Sequence, residues 1–301
     1  MSLDHIKLNH VTREQLTFVL NRGIESANVI LEGEGGSGKA LAAMALAKNA
    51  LSFQRENLSN ITHPDFYKIE PENGIIRKEK VQELINYALL APQICRKHVI
   101  IIERAESMND ASANSLLKVL EDGVQTNMFI LTTCSRLMPT IESRCEKVLF
   151  RPIDQEEIRK SETDFDEDLW RACGGRYYRY QELLQENGIK EALTGMGKAL
   201  LLGTGADILR AAHAMKEKDP AYLQKALSVK ELDGFFQYCT SLFIDGAAGE
   251  NALSDHYRIG DMADIMVVLQ DAKVAIRTKG TYSMNDFFAL LRMMIERRQD
   301  A

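Results

Sequence analysis

The sequence predicts an α/β fold in its first half, built on a parallel sheet, followed by a second half made of helices alone. Three observations carry this reading. Short β-branched apolar runs alternate with amphipathic helical stretches up to residue 152. The runs are continuous rather than alternating with polar residues, as expected of strands covered on both faces. After Pro152 no such run recurs.

The elements follow in order. "ANVILEG" (27–33) reads as the first strand, and "KALAAMALAKNAL" (39–51) as a helix entered through a glycine-rich turn. "DFYKIEP", "HVIIIER", "MFILTTC" and "KVLFRP" supply four more strands. The helices "KEKVQELINYALL" and "ASANSLLKVLED" lie between them, giving the short alternating units of an α/β core. Past Pro152, Asp154 with Glu157 three residues later forms a capping-box pattern that opens a helix and marks a change of architecture. Breaks at Gly174-Gly175, Gly188, Gly203-Thr204-Gly205 and Asp245-Gly246 punctuate the remainder. The stretches "DMADIMVVLQDAKVAI" and "SMNDFFALLRMMIERR" carry wide apolar stripes whose Met and Phe read as core or helix-interface filling. The expected division is 1–152, an α/β domain; 153–187, a small helical domain; and 188–301, a larger all-α domain.

Bulk properties bound the function. The chain has 301 residues, 45% of them apolar and 27% charged, ordinary values for a soluble protein. No segment approaches the roughly 18 uninterrupted apolar residues of a membrane span, and the start "MSLDHIKLNH" has neither a basic nor an apolar signal pattern. A cytoplasmic location is expected. Five cysteines, Cys95, Cys134, Cys145, Cys173 and Cys239, are scattered and never form C-x-x-C, so free thiols are expected and zinc is not. A net charge of −6 gives no footprint for independent nucleic-acid binding.

The chemistry concentrates at "EGEGGSGKA" (32–40), which contains G-x-x-x-x-G-K. A glycine-rich loop between a strand and a helix can aim successive backbone N–H groups at phosphate, and its lysine can neutralise the β/γ oxygens. Gly33, Gly35, Gly36, Gly38 and Lys39 fit that role. The bland alternative is a Gly-rich turn with a surface lysine. The next residue is Ala40, where a hydroxyl is needed to ligate Mg²⁺. Hydrolysis also needs carboxylates at the end of a neighbouring strand, to hold the metal and to polarise water. "HVIIIER" ends in Glu103, able to replace one of them in part, and in Arg104, a permanent cation that cannot act as a base. Glu106 is the remaining carboxylate nearby, able to rescue one role or to stand as an ordinary charge at a helix start.

The phrases "HPDFYKIEPENGIIRKEKVQELINYALLAP", "KHVIIIERAESMNDASANSLLKVLED" and "MFILTTCSRLMPTIESRCEKVLFRP" are similar to the AAA+ subunits of bacterial DNA polymerase clamp loaders, and among them to the delta-prime class. The resemblance covers residues from about 12 to 152 well and the helical remainder in outline. It implies an AAA+ nucleotide-binding core, a helical lid and an all-α collar that carries the assembly surface. Ser143-Arg144-Cys145 matches the family's Ser-Arg-Cys motif, which implies that Arg144 reaches into a neighbouring subunit's nucleotide site. The resemblance also implies phosphate sensing by Thr132 or Thr133, and a cis nucleotide contact from the lid by Arg179, although Arg176 stands close by. Many members carry a four-cysteine zinc module after the loop helix, and "LSFQRENLSNIT" has no cysteine there.

Together these imply a catalytically silent subunit, at most a weak binder of ATP or ADP and requiring no cofactor. Its implied partners are gamma/tau-like ATPase and delta-like subunits, the sliding clamp and, through the assembly, primed DNA. Two alternatives stay open at this point: an active AAA+ ATPase, and an interaction scaffold with no part in nucleotide chemistry.

Overall fold

A computed structural model describes residues 3, 5–22, 28–51, 62–72, 74–122, 126–185, 229–279, 293 and 296–297. The chain forms two compact units: Met1–Asp154 with Arg176–Tyr178, and Gln155–Gly175 with Arg179–Ala301. Among the described residues no helix is long and apolar enough to cross a membrane.

In the first unit, five strands form one sheet in the order β2-β3-β4-β1-β5. They are β1 (Asn28–Gly33), β2 (Phe66–Ile69), β3 (His98–Ile102), β4 (Asn127–Thr133) and β5 (Cys145–Phe150), and every neighbouring pair is parallel. All five strands expected from the apolar runs are present. The continuous runs are explained by burial on both faces, since every residue of β3 and of β4 is buried. Alternation then sorts the side chains. Val29, Leu31, Val99, Ile101, Met128 and Ile130 join the core under α1 (His10–Arg22) and α2 (Lys39–Ala50). Ile30, Ile100, Ile102, Phe129 and Leu131 join the opposite core, under α3 (Lys78–Ala88) and α4 (Asp110–Asp122). A single truncation such as Ile101→Ala removes a fully buried side chain and costs about 2–5 kcal/mol.

Asn28 ties the sheet's N-terminal edge together. Its Nδ2 donates to the carbonyls of Leu120 at 3.1 Å and Arg144 at 3.4 Å, and its Oδ1 accepts from the Phe129 N–H at 3.2 Å. A short helix α5 (Pro139–Glu142), with proline in its first turn, leads into Ser143 and Arg144 just before β5.

The second unit is helical in its described part: α6 (Gln155–Ser161), α7 (Glu167–Cys173), α8 (Tyr177–Gln185, from Arg179 onward), α9 (Val229–Ala247) and α10 (Ile259–Lys279). The helix α6 begins directly after Asp154, where the capping pattern places it. Trp170 packs edge-on against Tyr180, and Arg171 bonds to Asp245 while Tyr238 donates to Asp168, which joins α7 to α9. The expected breaks at Gly188 and Gly203–Gly205, the boundary at 187/188, and nearly all of "SMNDFFALLRMMIERR" lie outside the described residues.

Candidate functional site

β1 runs straight into the glycine-rich loop, where geometry demands glycine at Gly33, Gly36 and Gly38. A Cβ on Gly33 would stand 2.7 Å from the Cβ of Phe150 on β5, so only glycine lets the neighbouring strand lie this close. Gly38, at the N-cap of α2, has φ 95, in the left-handed region that side chains disfavour. Lys39 is the first residue of α2 and is 7% exposed. Its Nζ donates to the carbonyls of Gly33 and Glu34, both at 2.6 Å, and to Ser37 Oγ at 3.4 Å. Burial lowers the Lys39 pKa, partly offset by Cys134, Glu106 and Glu34. The ammonium expected to meet phosphate oxygens is therefore bonded to carbonyl oxygens of its own loop. Ala40 lies exposed beside it and brings no hydroxyl.

A second set of contacts comes from the segment Arg176–Tyr178, which follows the left-handed pair Gly174 and Gly175. The Tyr178 N–H donates to the Gly36 carbonyl at 3.1 Å, and Arg176 Nη1 reaches the Gly35 carbonyl at 3.4 Å and Glu34 at 3.5 Å. The Tyr178 hydroxyl accepts from the Lys7 N–H at 3.1 Å. Arg179, expected at the nucleotide, is buried with its guanidinium on Glu182 at 2.9 Å. Arg176 and Tyr178 thus both hydrogen-bond to the loop, where the resemblance places Arg179 with Arg176 close by.

At the end of β3, the Glu103 carboxylate pairs with Lys68 at 3.0 Å. Arg104 has φ 51, and is the only non-glycine with positive φ among the described residues. Its N–H donates to Thr132 Oγ1 at 3.0 Å, so this hydroxyl holds an unfavourable backbone in place. Thr133 Oγ1 donates to the Ser135 carbonyl at 2.6 Å and accepts from the Ser135 N–H at 3.2 Å, closing the turn after β4. Glu106 interacts electrostatically with Lys39, and its buried Oε2 has no hydrogen-bond partner among the described residues.

Arg144 stands at the opposite end of the sheet. The register pairs Asn28 with Cys145 and Gly33 with Phe150, so Arg144 precedes the first residue pair and the loop follows the last. Five strand steps separate those pairs, roughly 17 Å at the usual rise, which no side chain spans. Arg144 is partly exposed, and its guanidinium lies on Glu121.

Among the described residues, one group brings three metal-type ligand atoms within 4.8 Å of each other: His63, Asp65 and Cys95. The fully buried Asp65 carboxylate accepts N–H bonds from Gln93, Ile94 and Cys95 at 2.6–2.7 Å. Burial alone would raise its pKa; those three donors and nearby His98 outweigh it and hold the carboxyl below its ordinary value. Its oxygens are thus engaged in fixing the turn before β3.

Residues 9–154 match the family model described as DNA polymerase III, delta subunit. The delta-prime subunit of DNA polymerase III from Pseudomonas aeruginosa is 40% identical over 88 residues, 28% of this chain and 27% of that protein. That from Bacillus subtilis is 31% identical over 142 residues, 43% of each chain. The matches thus span less than half the length of these relatives. The crystal structure of a DNA polymerase III gamma subunit-related protein from Thermotoga maritima superimposes with a TM-score of 0.53 at 18% identity, covering 94% of this chain and 99% of that one. That likeness is one of fold.

Proposed function

We propose that this clamp-loader-related chain, delta-prime-like over residues 9–154, is a non-hydrolysing AAA+ subunit that supplies Arg144 to a neighbour's nucleotide. In this reading it joins gamma/tau-like and delta-like subunits in loading a sliding clamp onto primed DNA. The single observation that carries the reading is the β1·β5 register, which sets Arg144 and the chain's own loop at opposite ends of the sheet. An arginine so placed has no cis phosphate within reach. Guanidinium suits the trans role because its fixed fork and permanent charge match phosphate oxygens that gain negative charge during transfer.

The cis side supports silence. Ala40 offers no metal-ligating hydroxyl, Arg104 stands where a base is needed, and Lys39 is bonded to loop carbonyls. The test is ATP hydrolysis by the reconstituted loader at matched assembly. Arg144→Ala is expected to depress clamp- and DNA-stimulated turnover, with an upper bound near the 10³–10⁵ that arginine fingers supply elsewhere and a smaller loss where other sites keep their own arginines. Arg144→Lys is expected to rescue poorly. Equal rates for all three proteins would favour a scaffold with no part in nucleotide chemistry.

One observation favours an active enzyme instead. Glu106 brings a carboxylate into the electrostatic neighbourhood of Lys39; it is hydrogen-bonded to the Cys134 thiol, and its buried Oε2 accepts no hydrogen bond from the described residues. Mg²⁺-dependent turnover by the isolated chain, abolished in Glu106→Gln, would establish that reading; turnover at background would leave the silent subunit.

A further inference from the structure

Arg144 is held, and the way it is held has a consequence for its use. Nε and Nη2 both donate to Glu121 Oε2, at 3.3 and 2.9 Å. Nη1 donates to the Thr140 carbonyl at 2.9 Å and to Ser143 Oγ at 3.3 Å. A guanidinium has five N–H groups; with these four contacts made, a single N–H of Nη2 is left. The Nε/Nη2 edge, one of those through which arginine grips a phosphate in bidentate fashion, is wholly taken by the carboxylate.

Glu121 is an odd choice for its own helix. It lies in the last turn of α4, followed by Asp122, with no basic residue in that turn. Unpaired carbonyls already make a helix C-terminus negative, so acids there are disfavoured. The carboxylate is answered by a cation from outside the helix, and Asn28 holds both parts in register by bonding the carbonyls of Leu120 and Arg144.

We propose that Glu121 is a positioning residue that parks Arg144: its carboxylate and a neighbour's terminal phosphate compete for the same guanidinium edge. The phosphate is engaged only when Arg144 leaves Glu121. This rests on the trans-arginine reading above. The Glu121 side chain is 62% exposed and that of Arg144 31%, and an exposed pair of this kind corresponds to a factor of only about 1.4 to 5 in an equilibrium. Glu121 therefore tunes the arginine and does not switch it off.

The test is steady-state ATP hydrolysis by the reconstituted loader carrying Glu121→Gln, which keeps the side chain's size and removes its charge. The expected result is a kcat raised about 1.4- to 5-fold. The gain should shrink as ionic strength rises, because salt weakens the wild-type pair. It should vanish in an Arg144→Ala background, and Glu121→Asp, which keeps the charge, should stay nearer to wild type. A kcat equal to or below wild type in Glu121→Gln overturns the proposal, as does a gain that survives Arg144→Ala. If Arg144→Ala alone leaves turnover unchanged, the trans-arginine reading itself fails and parking falls with it.

Discussion

The ring of Tyr178 lies so close to Gly38 that a Cβ on the glycine would stand 2.7 Å from the ring's Cε2. Gly38 also sits at φ 95. Gly38→Ala is therefore expected to cost about 1–3 kcal/mol from backbone strain alone, with displacement of the ring adding to it. Gly35 in the same loop has nothing within 4 Å of its Cβ position, so Gly35→Ala should be close to neutral. Denaturant unfolding of the two variants checks the contrast; equal losses would show that the ring does not rest on Gly38 in solution.

Lys39 is expected to matter for stability rather than for turnover. Lys39→Met leaves the part-buried carbonyls of Gly33 and Glu34 without the donor they share, a loss of about 0.5–1.5 kcal/mol, the net worth of an ordinary hydrogen bond. The isolated protein should release phosphate from ATP at background rate with or without the substitution. Turnover by the wild-type protein that Lys39→Met abolishes while leaving stability unchanged would point to an active loop instead.

Asn28 connects three elements through one side chain, so Asn28→Ala should exceed an ordinary polar truncation. The Phe129 N–H and the Leu120 carbonyl both lose a partner, at about 1–3 kcal/mol per buried group left unsatisfied. Thermal unfolding measures the loss. The same variant should loosen the relation between Glu121 and Arg144, detectable as a smaller coupling between them in a double-mutant cycle.

Asp65 predicts an acid limb in the stability curve. Its folded pKa is below the ordinary 3.8, so the unfolded chain binds a proton first as pH falls. The contribution is fully present above about 3.8 and is lost as pH drops through the lower folded value. Asp65→Asn should lose about 1.5–3 kcal/mol at neutral pH, the worth of a hydrogen bond to a charged group, and should flatten this limb. Unfolding free energy followed from pH 7 downward in both proteins is the measurement.

The five strands were legible because their signal is local: an apolar run such as "HVIII" says that both faces are covered, without naming the cover. The glycine-rich loop ending in Gly38 and Lys39 stands out for the same reason, as a short motif with fixed spacing, whereas Arg144 is singled out only by resemblance to a family's Ser-Arg-Cys. Contacts between distant residues were not legible. Tyr178 meets a loop some 140 positions earlier in the chain, and nothing in "GGRYYRY" says which of its residues turns toward it. Arg179 stands at the place of the family's lid arginine and pairs with Glu182 in its own helix, while Arg176 reaches the Gly35 carbonyl. Glu121 reads as an ordinary surface acid until the fold brings Arg144 against it.

The parallel sheet gives the first unit a direction, with the glycine loop at one pole and Arg144 at the other. Subunits joined pole to pole make heterologous, head-to-tail contacts, and each junction would then be a place where one chain's arginine faces the next chain's loop. A chain with a working arginine and a silent loop completes a junction on one side only. If this chain acts as proposed, it would be an end piece in such an array, the point at which the repeating pattern stops, and its presence rather than its catalysis would set how many active junctions the assembly contains.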